Sequence, residues 1–201
     1  MKSKIKAVIF DMGNVLVRLK PGLEHVGKIW SERVEKVEEY QILWNEVMKG
    51  KMEHLEFNSL LVSRNVFKEG EVEKLFDRPK VEEVNWGLVK LIKKLKKKFK
   101  TGLLTNNFPG NIEYYRKAFE NYSIFDVAIS SHEVGMVKPD PEIFKLMAEK
   151  IGCKLSECIF VDDWDKNIDA ANKLGMKGIL FTDNESLFKE LKKLKIQTGQ
   201  D

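Results

Sequence analysis

Apolar residues along this chain come in short unbroken runs rather than in alternation. "AVIF" at 7–10, "GLLT" at 102–105, "VAIS" at 127–130, "CIFV" at 158–161 and "GILF" at 178–181 are each bounded by polar or turn residues. Such continuous apolarity suits strands covered on both faces, as in a parallel sheet flanked by helices. Between the later runs the apolar spacing becomes helical over about 111–121, 141–151 and 167–174, which is long enough for crossovers. Asp140 is placed to N-cap a helix with Pro141 at its first position, and Gly152 and Gly175 fall where left-handed C-caps belong. The expected fold class is α/β, a parallel sheet flanked by helices on both faces.

The first gap breaks this rhythm. About ninety residues separate Asp11 from "GLLT", whereas a parallel crossover needs only about a dozen. Within the gap, Val26, Ile29, Trp30, Val34 and Val37, then Ile42, Leu43 and Val47 before Gly50, then Leu55, Leu60 and Leu61, then Val72 and Phe76 read as successive helices. The expectation is a small helical cap over 18–80, inserted into an α/β core made of 1–17 and 81–201. Trp30, Tyr40, Trp44 and Phe57 sit at helical spacing and are read as cap core, with stacking on a sugar ring as the alternative.

Composition narrows the class. Of 201 residues, 43% are hydrophobic and 33% charged, which describes a soluble globular protein with a heavily charged surface. "MKSKIKAVIF" starts basic, but its apolar stretch ends at Asp11 and is too short for a signal-peptide core. A cytoplasmic location and no membrane partner are therefore expected. The net charge of +4 is most visible in "KLIKKLKKKFK" at 90–100. Leu88, Leu91, Ile92, Leu95 and Phe99 recur there at helical spacing, so the lysines form the wet face of an amphipathic helix rather than a nucleic-acid site. "LFKELKKLKI" near the C-terminus repeats the pattern. Cys153 and Cys158 have no CxxC spacing and no histidine nearby, so they read as core or near-core residues, not as a disulfide framework or a zinc site.

In a doubly wound sheet, ligands collect at the carboxyl ends of the strands. The residues just beyond the predicted strand ends are Asp11; Thr105 with Asn106 and Asn107; Ser130 and Ser131 leading on to Lys138; and Asp162 with Asp163. Carboxylates gathered in one crevice raise one another's pKa unless a cation sits among them. A few hard oxygen ligands suit Mg²⁺, which keeps water and substrate phosphate in its shell. With a lysine, a hydroxyl and loop N–H groups alongside, the result is a phosphate site. There Asp11 can attack phosphorus, and water can hydrolyse the aspartyl phosphate.

"VIFDMGNVLV", "LLTNN", "VGMVKPDPEIF" and "IFVDDWDKNIDAANKLGMKGILF" resemble, in order, the motifs of the haloacid dehalogenase-like (HAD) hydrolase superfamily. "FDMGNVLV" and "KPDPEIF" look most like its branch of small sugar-phosphate and glucose-1-phosphate phosphatases. The resemblance implies a Rossmann-like core, a cap inserted after the first strand, and a Mg²⁺-dependent phosphatase acting on a small phosphate ester, as a monomer or homodimer. It implies Asp11 as nucleophile, Thr105 and the Asn106 N–H as phosphate ligands, and Lys138 as the neutralising cation. It also implies Asp11, the Gly13 carbonyl, Asp163 and its neighbour Asp162 at the metal. Asn167 matches a position often held by a further acid, and Asn107 and Phe108 lie where substrate contacts would fall. Glu133 and Asp140 are assigned to loop geometry and capping.

Gly13 departs from the pattern, because the residue two after the nucleophile is usually an aspartate that protonates the leaving oxygen. A positioned general acid contributes about 10²–10⁴ in rate. Three readings follow. The substrate has a leaving group that hardly needs a proton; an acid comes from elsewhere, with Asn14, Glu24 and His25 as candidates; or the chain is a binding or regulatory relative with little turnover. A dehalogenase also lacks the acid, but it has no use for a motif with two acids such as Asp162 and Asp163.

Overall fold

Side chains along the central strands point alternately into two separate apolar clusters, and that division produces three layers. The computed structural model describes residues 4–197, with the side chains at 78, 79, 110–113 and 118 set aside; the chain ends at 1–3 and 198–201, assigned above to the core, lie outside the described residues. The strands are β1 (Ala7–Phe10), β2 (Val17–Leu19), β3 (Glu82–Val84), β4 (Lys100–Thr105), β5 (Val127–Ser130), β6 (Cys158–Asp162) and β7 (Lys177–Leu180). Five of them form a parallel sheet in the order β5-β4-β1-β6-β7. The order reverses direction at β1, which is the doubly wound arrangement with its ligand crevice at the switch point.

The helices are α1 (Glu24–Trp30), α2 (Glu38–Met48), α3 (His54–Ser63), α4 (Glu71–Leu75), α5 (Arg78–Val81), α6 (Trp86–Leu95), α7 (Pro109–Ala118), α8 (Ser131–Val134), α9 (Pro141–Ile151), α10 (Asp165–Lys173) and α11 (Asn184–Lys193). Val8, Phe10, Leu103, Ile159 and Val161 turn to one face, against Leu88, Leu91 and Ile92 of α6 and Leu187 and Leu191 of α11. Ala7, Ile9, Leu104 and Phe160 turn to the other, against Ile143, Phe144 and Met147 of α9 and Ile168 and Ala171 of α10. Each large apolar side chain buried in this way stabilises the fold by about 1.5–3 kcal/mol relative to exposure. The lysines of α6 and α11 lie on the opposite, wet faces, as their spacing predicts. Cys158 is buried and Cys153 partly so, and neither forms a disulfide.

The punctuation around α9 follows the predicted chemistry. The Asp140 carboxylate accepts the Glu142 N–H at 3.0 Å, Pro141 opens the helix, and Gly152 closes it at φ 70°. That φ is comfortable only for a residue without Cβ.

The gap after β1 resolves into α1–α5 and one turn of π-helix at Ser31–Glu35. It also contains something the apolar pattern does not predict. Strands β2 and β3 pair antiparallel, Val17 with Val84 and Leu19 with Glu82, so the chain leaves and re-enters the core through a two-stranded neck. Strands of three residues are too short to carry a readable period. The inserted helices have their own apolar cluster: Val34, Val47, Phe57, Leu61, Phe67 and Val72, joined by Phe108 from the core. Among the described residues, no helix is long and apolar enough to cross a membrane.

Candidate active site

Four parallel strands deliver polar residues to one edge. Asp11 follows β1, its N–H bonded to the Val161 carbonyl of β6 at 2.9 Å. Thr105 ends β4 directly opposite Ser130, which ends β5. Asp162 ends β6 and Asp163 follows it. Lys138 reaches in from the loop between α8 and α9. Asp11, Thr105, Lys138 and Asp162 are all buried, so the constellation expected at the strand ends is assembled here.

The centre is a shared ammonium. Lys138 Nζ lies 2.7 Å from Asp11 Oδ1 and 2.7 Å from Asp162 Oδ2, and 5.4 Å from the centre of the Phe160 ring. Burial alone would lower the lysine pKa, but the two carboxylates outweigh it and hold it above its usual value. Asp11 is pushed up to about 7, first by burial and then by Asp162 and Asp163, with Lys138 opposing. Asp163 is raised as well, by burial and by Asp162, against a hydrogen bond from Asn14.

The motif acids differ in how the protein holds them. Asp162 Oδ1 accepts the Trp164 N–H at 2.9 Å and Asn167 Nδ2 at 3.0 Å, while Oδ2 accepts Lys138 and Asn167 Nδ2 at 3.1 Å. Both of its oxygens are thus occupied by protein donors. Asp163 Oδ2 accepts Asn14 Nδ2 at 2.9 Å, from a residue with φ 51° that aims its amide back across the loop. Asn14, named above as a possible acid, is engaged here as a donor to a carboxylate.

Asp11, Asp162 and Asp163 present carboxylate oxygens within 4.8 Å of one another. Three carboxylates against one ammonium leave an excess of negative charge, which adds to the rise that burial gives the Asp11 carboxyl. Hard, anionic oxygen donors with uncompensated charge are the donor set that fits a hard divalent cation. Asp11 Oδ2 and Asp163 are the less encumbered members.

Gly13 borders this cluster. A Cβ built there would meet only Asp11 Oδ2, at 4.0 Å. Steric crowding therefore does not explain the glycine.

The loop after β4 is tied on both sides. The Asn106 side chain donates to the Lys138 carbonyl at 2.9 Å and accepts the Lys138 N–H at 2.8 Å, a two-bond clamp on the lysine's own backbone. The Asn107 N–H donates to Ser131 Oγ at 2.9 Å, and its Oδ1 accepts the Phe108 N–H at 2.9 Å. The Thr105 hydroxyl has only a 3.5 Å approach to the Asn106 carbonyl, too long for a strong bond. The clamp by Asn106 and the bonds of Ser131 were not foreseeable from spacing, because their partners are backbone groups distant in sequence.

The remaining candidates are held by contacts of their own. The Glu24 carboxylate accepts the Gly22 N–H at 3.1 Å, and nearby backbone N–H groups hold its pKa below the usual range. His25 Nδ1 lies 3.2 Å from the Gly22 carbonyl. Trp30, Trp44 and Phe57 pack with Phe76 and Phe108 as one ring cluster, Trp30 to Trp44 at 4.8 Å and Trp44 to Phe108 at 5.6 Å. His54 stacks on Phe108 at 4.9 Å.

Doubly wound α/β enzymes gather their chemistry at this switch point, and the buried acids with their shared lysine mark this chain as one of them. The model of the haloacid dehalogenase-like hydrolase family matches residues 5–175, and the chain belongs to that family. A sesquiterpene phosphatase of Aspergillus oryzae is 28% identical over 207 residues, covering 96% of this chain and 98% of that protein. The bifunctional epoxide hydrolase 2 of Sus scrofa is 35% identical over 129 residues, but the match spans only 23% of its length. A HAD-family enzyme of Bacteroides thetaiotaomicron, crystallised with magnesium and inorganic phosphate, superposes with a TM-score of 0.70 at 26% identity, covering 92% of this chain and 99% of that one.

Proposed function

We propose that this chain is a Mg²⁺-dependent phosphatase of a small phosphorylated metabolite, working through an aspartyl phosphate on Asp11, with residues 18–80 acting as its cap. The observation that carries this reading is the buried Lys138 shared at 2.7 Å by Asp11 and Asp162, with Asp163 beside them. Full-length similarity to a phosphatase and a fold match to a protein holding magnesium and phosphate support it.

The residues divide the work. Asp11, Asp163 and the Gly13 carbonyl, with Asp162 beside them, are the groups that would hold Mg²⁺. The ion, once bound, neutralises charge developing on phosphate oxygens. Lys138 fixes Asp11 Oδ1 and offsets the repulsion between its carboxylate and an incoming phosphate. Thr105 Oγ1 and the Asn106 N–H hold the non-bridging oxygens. An Asp11 oxygen bonds to phosphorus as the bond to the leaving oxygen breaks, and that oxygen takes its proton from solvent. Water then attacks the aspartyl phosphate, releasing inorganic phosphate and restoring the Asp11 carboxylate. The inserted helices cover the crevice and exclude water during transfer.

Gly13 shapes the substrate class. With no acid at that position, the reading favours leaving groups that depart with little proton assistance, such as acyl, anomeric sugar or aryl phosphates. The first assay is p-nitrophenyl phosphate hydrolysis with Mg²⁺ and with EDTA, with Asp11→Asn as the blank. Turnover that needs both Mg²⁺ and Asp11 is expected. A rate equal to the blank would sink the phosphatase and leave a binding relative. Because a Cβ at position 13 meets nothing closer than 4.0 Å, Gly13→Asp is expected to raise turnover of simple alkyl phosphates by about 10- to 100-fold, with a much smaller gain on the aryl ester. Equal gains on both would remove the leaving-group argument.

A further inference from the structure

Ser131 is fully buried and touches three backbone groups that belong to two different parts of the molecule. Its Oγ lies 2.6 Å from the Met48 carbonyl, at the end of α2 in the helical insertion. It accepts the Asn107 N–H at 2.9 Å and lies 3.1 Å from the Asn107 carbonyl, in the loop that carries Thr105 and Asn106. A hydroxyl has one proton and can give it fully to only one acceptor. The shorter approach assigns that proton to Met48. The Asn107 carbonyl is then left with His132 Nδ1, 3.1 Å away, which it shares with the nearer Ser130 hydroxyl at 2.8 Å. A carbonyl only accepts, so that contact is a hydrogen bond when Nδ1 carries the proton.

The same junction is closely fitted. Gly50, two residues past Met48, has φ +69°, and a Cβ there would stand 2.8 Å from the His132 carbonyl. The insertion therefore seats its α2 end directly on α8, with Ser131 at the contact. From Asn107 the chain of bonds continues to Asn106, whose side chain clamps the Lys138 backbone.

We propose that Ser131 is a positioning residue that couples seating of the helical insertion on the core to the order of the Thr105–Asn107 loop. With the insertion seated, the Ser131 proton goes to Met48 and its lone pair holds the Asn107 N–H. With the insertion lifted, Ser131 loses the Met48 acceptor that fixes its hydroxyl, and its hold on the Asn107 N–H is no longer set in one orientation. The phosphate loop is thus ordered when the crevice is covered. This inference rests on the reading above in taking that loop to bind phosphate and the insertion to act as a cap over it.

Coupling between two sites is reciprocal, so a disturbance at either end must be felt at the other. Backbone amide exchange on the full chain, followed by NMR, reads Ser131→Ala on the insertion side of its contact and Gly50→Ala on the loop that Gly50 does not touch. Ser131→Ala is expected to speed exchange of the Lys49, Gly50 and Lys51 amides, and Gly50→Ala to speed exchange of the Asn107 amide, each by about tenfold. In Ser131→Ala, affinity for inorganic phosphate is expected to fall about tenfold while affinity for Mg²⁺, measured by calorimetry, stays unchanged, since its ligands lie on other strands. A merely structural loosening would lower both. Exchange that rises only at the mutated side in both variants, or phosphate and Mg²⁺ affinities that fall together, would overturn the proposal. If the unaltered protein binds no phosphate, the phosphatase reading fails and the exchange experiment alone decides the coupling.

Discussion

Lys138 and Lys145 stand seven residues apart, and each has a carboxylate at nearly the same distance. Lys138 meets Asp11 and Asp162 at 2.7 Å, with side-chain exposures of 2%, 11% and 0%. Lys145 meets Glu142 at 2.6 Å, with exposures of 51% and 61%. Geometry alone would rank these pairs as equals. The difference lies in what surrounds them: water screens the surface pair and competes for both partners, whereas the buried group has no alternative partners if one member is lost. A charge cluster kept in such a place costs desolvation, which a chain selected only for stability could avoid with apolar residues. Its retention at the switch point of the sheet points to chemistry rather than to folding.

The largest effect that tests this contrast is Lys138→Met, which leaves Asp11, Asp162 and Asp163 facing one another without their cation. Chemical unfolding is expected to show a loss of about 3–5 kcal/mol, and saturating Mg²⁺ should restore part of it by mass action. A loss below about 1 kcal/mol would mean that the cluster is far more hydrated than its burial indicates.

Asp126 lies between the two extremes. Its Oδ2 accepts the Thr101 N–H at 2.8 Å, and Lys96 lies 3.5 Å away. Burial pushes its pKa up, but the Thr101 N–H and Lys96 outweigh that and hold it below the usual value. A carboxyl lowered in the folded state binds its proton less readily than in the unfolded chain. Its contribution is therefore complete above the ordinary carboxylate pKa and is lost as pH falls through its lower native value. Unfolding measured from pH 6 down to pH 3 should show a shallower decline in Asp126→Asn than in the unaltered protein. Parallel curves would assign the acid loss to other groups. The smallest effect is expected for Lys145→Ala, a change within about 0.5 kcal/mol that vanishes in high salt. Thermal melts of this variant and of Lys138→Met, taken together, give the contrast directly.

Much of the architecture was legible in the chain because its causes are local. Unbroken apolar runs such as 7–10 and 158–161 declare strands covered on both faces, and Asp140, Pro141 and Gly152 mark the ends of α9 through backbone chemistry confined to a few neighbouring residues. The positions of Asp11, Thr105, Asp162 and Asp163 near one crevice follow from the same logic, since parallel strands must all end at one edge, whereas Lys138 comes from a loop eight residues past β5 and only its motif pointed to it. The β2–β3 neck was not legible, because three-residue strands carry no period and their pairing joins segments 65 residues apart in Arg18 and Glu83.

By itself, then, the sequence determined the layers, the edge at which polar residues gather, and the absence of a side chain at position 13. Tertiary structure alone decided how those residues divide their tasks. Asp162 and Asp163 are adjacent and chemically identical, yet one is enclosed by Lys138, Asn167 and the Trp164 N–H while the other is touched by Asn14. Only the fold shows that space beside Gly13 is open, and only the fold brings Ser131 against Met48 and Asn107. Local propensity follows from neighbours in the chain. The environment that sets charge, hydrogen bonding and access at a site comes from residues that meet only after the chain has closed on itself.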